Sequence, residues 1–148
     1  MKIVEFISQK DIYNAVDTDS KKNLFKKISR ILVTDDSNET NLINEKLNER
    51  ERLGSTGVGN GVAIPHAKIG SVKSTKVIFL KLMKPIEFSS PDGENVDIVF
   101  SIIAPENSES EHLLILSSIS RFLKKKDALT KLRKLNDEVK IFEFLSKF

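Results

Sequence analysis

The stretch Val96–Ala104 limits the architecture more than any other part of the chain. It is apolar and rich in β-branched residues, with one interior Ser, and Pro105 ends it. That is the pattern of a strand buried on both faces, and such strands occur where helices cover a sheet from either side. The flanking sequence supplies those helices. Leu24, Phe25, Ile28, Ile31 and Leu32 fall at helical spacing behind Asp19-Ser20, either of which can cap the start. A second helix is predicted after the polar stretch Thr34–Glu39, with Leu42, Ile43, Leu47 and Leu53 as apolar positions and Gly54 as its stop. Val62-Ala63-Ile64 reads as a short strand ending at Pro65. Thr75–Met83 reads as another, which continues extended or turns over Pro85–Phe88, and Pro91-Asp92-Gly93 is a turn. Helices are then predicted over 111–123, with Leu113, Leu114, Leu116, Ile119 and Leu123 facing the core, over 128–135, and over 139–145 behind Asp137. Helices, then strands, then helices predict an α/β fold: a single layered domain over residues 1–148, with a mixed β-sheet flanked by helices. The residues before Ser20 carry little signal.

With 148 residues, 39% of them hydrophobic and 30% charged, the chain has an ordinary globular composition and can bury roughly 70% of its unfolded surface. It has no Cys, which excludes disulfide scaffolds, thiolate metal sites, cysteine nucleophiles and iron–sulfur clusters, and fits a reducing compartment. No stretch approaches the roughly 18 apolar residues of a membrane helix, and Met1–Phe6 has no apolar core of signal length. A cytoplasmic protein with no membrane insertion is expected. The net charge of +3 hides an asymmetry: Pro85–Ser120 holds seven acidic residues and no Lys or Arg, whereas Arg121–Lys140 holds eight basic and three acidic residues. Leucines at 123, 129, 132 and 135 interleave with the basic run, which therefore reads as the solvated face of packed helices. No nucleic-acid motif or aromatic platform accompanies it, so nucleic acid is not expected as a partner.

Gly54–Gly61 holds four of the six Gly, and clustered Gly lets backbone N–H groups converge on an anion. The nucleotide motifs fail: Gly54 and Gly59 have P-loop spacing but Asn60 stands at the Lys position, and Val62 stands where a dinucleotide fingerprint needs Gly. What remains is a Gly-rich segment, a short strand and His66 directly after Pro65. A neutral imidazole is nucleophilic near physiological pH and can carry a covalent group. A His that accepts a phosphoryl group needs one ring nitrogen free, the other hydrogen-bonded, and donors for the transferred oxygens. A structural His at a strand end is the competing reading, and the residues alone leave both open. No metal-ligand spacing such as His-Glu-x-x-His occurs, so neither a metal nor another cofactor is expected.

Arg50-Glu51, followed by Ser55-Thr56-Gly57-Val58-Gly59-Asn60-Gly61-Val62-Ala63-Ile64-Pro65-His66, resembles the active-site signature of enzyme IIA domains of the bacterial phosphoenolpyruvate-dependent phosphotransferase system, fructose/mannitol class. The wording of residues 54–61 is most similar to the nitrogen-regulatory branch. The resemblance extends over nearly the whole chain, including residues 20–31, 85–88, 92–105 and His112-Leu113-x-x-Leu116. Ala67 departs from it, since nitrogen-type members often have Gly there. The resemblance implies that His66 is the phosphorylated nucleophile, through Nε2, with Nδ1 donating to a nearby carbonyl. It implies that Arg50, rather than the neighbouring Arg52, forks onto the phosphoryl oxygens and that His112 is the second active-site His. Ser55, Thr56, Gly57, Gly59 and Gly61 are candidate phosphoryl-binding positions.

The implied chemistry is transfer between histidines from a small phosphocarrier protein of the HPr or NPr kind, without nucleotide or metal. The acidic segment around Glu106–Glu111 is a candidate docking face on charge alone. With no IIB or membrane IIC segment in the chain, a freestanding regulator is expected, whose phosphorylation state changes which target proteins it binds. A transport IIA that passes phosphate to a sugar-specific IIB partner is the alternative, and a binding module without phosphorylation the third.

Overall fold

The computed structural model of the protein describes residues 1–32 and 37–148, and the strand expected at Val96–Ala104 spans those residues. In chain order the elements are β1 (Ile12–Val16), α1 (Lys21–Leu32), α2 (Ser37–Arg52), β2 (Gly57–Gly59), β3 (Val62–Ala63), β4 (His66–Lys68), β5 (Lys76–Ile86), β6 (Val96–Ala104), α3 (Glu109–Leu123), α4 (Ala128–Lys134) and α5 (Glu138–Leu145). The strands form one mixed six-stranded sheet in the order β1-β5-β6-β3-β2, with β4 also on β6. β5 runs antiparallel to β6, whereas β1 on β5 and both β3 and β4 on β6 are parallel.

β6 is apolar on both sides because both sides are covered. Ile98, Phe100 and Ile102 join Ile115, Ile119, Phe122, Leu132, Ile141 and Leu145 in one core, so α3, α4 and α5 lie on that face. Val99 and Ile103 join Leu24, Phe25, Ile28, Ile43 and Leu47 in the other, so α1 and α2 lie opposite. β5 divides its residues likewise, Val77 and Phe79 to the first core and Ile78, Leu80 and Leu82 to the second. The interior Ser of β6, Ser101, is fully buried and donates to the Pro65 carbonyl at 3.0 Å. Lys81, on β5, reaches the end of α4, where Nζ donates to the Arg133 carbonyl at 2.7 Å and to that of Leu135. A cation satisfies the orphan carbonyls at a helix C-terminus.

The structure departs from sequence expectation at several elements. The N-terminal residues, which carry little pattern, form two 3-10 turns and the edge strand β1. β2 and β4 are further strands not legible as such. α1 is capped by Ser20, whose Oγ accepts from the Asn23 N–H at 3.1 Å. α2 starts at Ser37, inside the polar stretch Thr34–Glu39 expected to precede it, whose residues 34–36 lie outside the described residues. Leu53, expected on the apolar face of α2, is 86% exposed. α3 is rotated from its expected phase: Leu113 and Leu114 are exposed, and His112, Ile115, Ser118, Ile119 and Phe122 face inward. Apolar residues surround that helix, so periodicity alone cannot choose a face; the fit of Phe122 against Phe100, with ring centroids 6.4 Å apart, goes with the observed one. Lys124, Lys125, Lys126, Lys131 and Lys134 are exposed, as expected of a solvated face.

Phe100 packs edge-to-face against both Phe79, at 5.2 Å, and Phe122. Phe100→Ala is expected to lower the free energy of unfolding by about 3–5 kcal/mol, measured by chemical denaturation. A loss below about 1 kcal/mol would mean that the β6–α3 face is not a close-packed core.

Candidate functional site

Residues 62–68 run along β6 in constant register, Val62 opposite Ile98 and His66 opposite Ile102, with a break at Ile64-Pro65. Pro65 has no N–H to donate, so the ladder is carried there by its carbonyl, which accepts from the Ile102 N–H at 3.0 Å. The break leaves the Ile64 carbonyl free to meet the side chain two residues on. His66 Nδ1 lies 2.8 Å from it. A carbonyl oxygen only accepts, so Nδ1 carries the proton and Nε2 bears the lone pair. Arg50 confirms this tautomer from the other side, because its Nε–H donates to His66 Nε2 at 3.3 Å.

Arg50 sits in the last turn of α2, and its Nη1 also donates to the Gly54 carbonyl at 2.9 Å. The end of that helix is clamped by Glu51. One Glu51 oxygen accepts from the Thr56 hydroxyl at 2.6 Å; the other accepts from the Thr56 N–H at 2.9 Å and from Lys21 Nζ at 2.8 Å. Lys21 in turn lies 4.3 Å from the centroid of the Phe88 ring. The carboxylate therefore joins α1, α2 and the start of the hairpin in one place, and it is nearly buried, with 7% of its side chain exposed.

His112, in the first turn of α3, stands beside His66 with ring centroids 5.0 Å apart. Its Nδ1 is buried and has no hydrogen-bond partner among the described residues. Burial is the main reason that both imidazoles are less basic than an ordinary His. For His66 the bond to Ile64 works against that, and the positive charge of Arg50 reinforces it; for His112 the added causes are His66 and Lys68. The two rings open onto a hollow of about 580 Å3, which Arg50, Lys68, Lys46, Glu49 and Leu53 also line. A bare ring nitrogen, a guanidinium on it and a second neutral imidazole can together receive and hold a small dianionic group.

The profile of the family described as "Phosphoenolpyruvate-dependent sugar phosphotransferase system, EIIA 2" matches residues 5–148. The chain belongs to this EIIA 2 family. It is 37% identical to a nitrogen regulatory protein homolog of Haemophilus influenzae over 97% of this chain and 92% of that protein. It is 35% identical to a nitrogen regulatory protein of Bradyrhizobium diazoefficiens over 99% of this chain and 95% of the relative. The crystal structure of the nitrogen regulatory protein IIA-Ntr from Neisseria meningitidis superposes with a TM-score of 0.89, at 33% identity, covering 97% of this chain and 98% of that one. Membership carries the family's general role, phosphotransfer within that system, with phosphocarrier and IIB proteins as the class of partner.

The EIIA 2 chain thus brings together three residues singled out from sequence, His66, Arg50 and His112. Of the Gly-rich segment, the Gly54 carbonyl meets Arg50, whereas Ser55, Thr56, Gly57, Gly59 and Gly61 point elsewhere. Residues 57–63 form a hairpin, β2 antiparallel to β3, and Asn60-Gly61 is its two-residue turn with both φ angles positive, 56° and 79°. The Asn-Gly dipeptide was the available hairpin signal. Ser55 Oγ donates to the Phe88 carbonyl at 2.8 Å, and Thr56 is held by Glu51. Gly57 N–H donates to Ser55 Oγ at 3.1 Å. Gly59 and Gly61 stand beside Asp92 and the Asp97–Arg133 pair. None of these five lines the hollow. Sequence reasoning assigned no role to Glu51 and Lys68, although both stand in or beside the quoted signature.

Two outcomes follow for the EIIA 2 site. Glu51→Ala leaves Lys21 and Thr56 without their shared acceptor and is expected to cost about 2–4 kcal/mol of unfolding free energy, read by denaturant titration. The imidazoles are expected to titrate below the ordinary value of about 6.5 by NMR. With folded values lowered, their contribution to stability is complete above about pH 6.5 and is lost as pH falls through the folded values, since the unfolded chain binds protons first. The fall in stability from about pH 7.5 to about pH 5.5 is expected to shrink in a His66→Gln, His112→Gln double variant.

Proposed function

We propose that the protein accepts a phosphoryl group on His66 Nε2 from a phosphohistidine carrier protein, and that its phosphorylation state selects the target proteins it binds. The observation that carries this reading is the hydrogen bond from His66 Nδ1 to the Ile64 carbonyl, which leaves the nucleophilic lone pair on Nε2. In the step, the Nε2 lone pair attacks the carrier's phosphorus in line. The new N–P bond forms as the carrier's N–P bond breaks, and that electron pair returns to the carrier's imidazole. No nucleotide or metal takes part, because the phosphoramidate of the donor is already activated. Arg50 gives up its contact with Nε2 as the nucleophile is used, and its fork then faces the three phosphoryl oxygens. The Nδ1–H keeps its hydrogen bond to the Ile64 carbonyl, whose dipole stabilises the positive charge that the ring acquires. His112, kept neutral by burial, adds a polar neighbour without adding charge. Similarity to nitrogen regulatory proteins over nearly the whole chain supports a regulator rather than a transport intermediate.

The test is intact-mass measurement of the protein mixed with phosphoenolpyruvate, enzyme I and a nitrogen-branch carrier. Wild type is expected to gain one acid-labile phosphoryl group, about 80 Da, and His66→Ala none. Arg50→Gln is expected to slow transfer by about 10²–10³-fold, with partial recovery in Arg50→Lys. Wild type that gains nothing from either a nitrogen-branch or a sugar-branch carrier would overturn the reading. Rapid onward transfer to a sugar-specific IIB would make the protein a transport intermediate instead.

A further inference from the structure

We propose that Lys68 is a second cation of the phosphoryl site, parked on Glu109 while His66 is free and drawn onto the phosphoryl oxygens once His66 carries them. The inference rests on His66 being the acceptor, and it adds a device that reports the modification to the surface of α3.

Strand geometry puts Lys68 in reach. His66 and Lys68 are the two ends of β4, and alternation sends both side chains to the same face while Ala67 is buried on the other. Residues two apart in a strand are separated by about 6.6 Å, a distance that the four-carbon stem of Lys spans. Lys68 lines the same hollow as His66, Arg50 and His112. Its charge already acts on both rings, lowering the basicity of each.

In the unmodified protein Lys68 Nζ is 3.2 Å from Glu109 Oε1, in the first turn of α3. That pair is open to water, with 39% of the Lys and 68% of the Glu side chain exposed, and exposed pairs hold weakly. A phosphoryl group on Nε2 brings close to two negative charges into a half-enclosed site, against the single charge of a solvated carboxylate. The dianion wins the competition for the ammonium. The other free-swinging cation at the rim, Lys46, pairs with Glu49 at 3.4 Å on its own helix and has no strand to aim it.

Release has a consequence on the outside of the molecule. Glu109 loses its counter-ion at the turn that also carries Glu111 and the exposed Leu113. The phosphorylated form therefore presents a more acidic first turn of α3, built of residues that a target protein can touch without entering the hollow.

The experiment compares wild type with Lys68→Gln, Lys68→Arg and Glu109→Gln. Each is equilibrated with phosphoenolpyruvate-charged nitrogen-branch carrier, and the ratio of phosphorylated protein to phosphorylated carrier is read by intact mass. Lys68→Gln is expected to shift that ratio roughly tenfold toward the carrier, and Lys68→Arg to restore most of it. Glu109→Gln is expected to shift it a few-fold the other way, because it frees the cation in advance. Amide NMR shifts of Glu109 and Ser110, away from the His112 ring, are expected on phosphorylation in wild type and are expected to be much smaller in Lys68→Gln. Equal ratios for wild type and Lys68→Gln would overturn the inference, as would a Glu109→Gln shift in the same direction as Lys68→Gln. A wild type that takes no phosphoryl group defeats the underlying assignment of His66 instead, a result the first reaction alone reveals.

Discussion

Parallel pairing of residues 62–68 along β6 holds both the fold and the site. β6 bonds β5 on one edge and this segment on the other, so it is the strand through which the two helical layers meet. Because the register is constant across the Pro65 break, His66 is delivered opposite Ile102 with its neighbours already fixed. The buried hydroxyl of Ser101 and the N–H of Ile102 both bond the Pro65 carbonyl, which pins the one residue that cannot donate. A one-residue slip would send His66 to the other face, toward α1 and α2. The site is thus a property of strand pairing before it is a property of side chains.

Charge management around His66 follows from where the strand ends. Burial keeps two imidazoles neutral next to each other, and a neutral, singly protonated ring is the form in which Nε2 is nucleophilic. Cations sit around the rings in two kinds of setting. Arg50 is held by the Gly54 carbonyl at the end of a helix that Glu51 clamps, whereas Lys68 sits on the strand itself in an exposed pair. A clamped guanidinium suits a fixed fork; a loosely paired ammonium suits a charge that moves. The same economy appears away from the site, where Arg133 forks onto Asp97 at 2.9–3.1 Å and ties α4 to β6.

Several parts of this arrangement were open to a reader of the sequence. β6 is legible because burial on both faces leaves a nine-residue stretch that is apolar and rich in β-branched residues but for Asp97 and Ser101. α1 is legible because one face is apolar and a Ser caps it. His66 and Arg50 stand out through the signature they belong to and His112 through the resembling segment it opens, and the structure gathers the three around one hollow. The phase of α3 was not legible, because Leu113 and Leu114 are as apolar as Ile115 and Phe122, and only the sheet face decides which pair is needed. The hairpin in the Gly-rich segment was not legible for a related reason: Gly permits both an anion-binding loop and a primed hairpin turn, and local sequence allows either. Glu51 was invisible as a clamp because its partners, Lys21 and Thr56, come from two other segments.

The sequence by itself determined the α/β layering, the positions of β5, β6 and the main helices, and His66 as the candidate nucleophile, since periodicity, turn residues and a contiguous signature are local properties. The tertiary structure alone decided which nitrogen of His66 is free, which face of α3 is inward, and that Glu51 and Lys68 belong to the site's surroundings. The first depends on the backbone turn that the Pro65 break imposes when residues 62–68 pair with β6, and the others on a sheet face and counter-ions from distant parts of the chain; only the completed packing sets those distances.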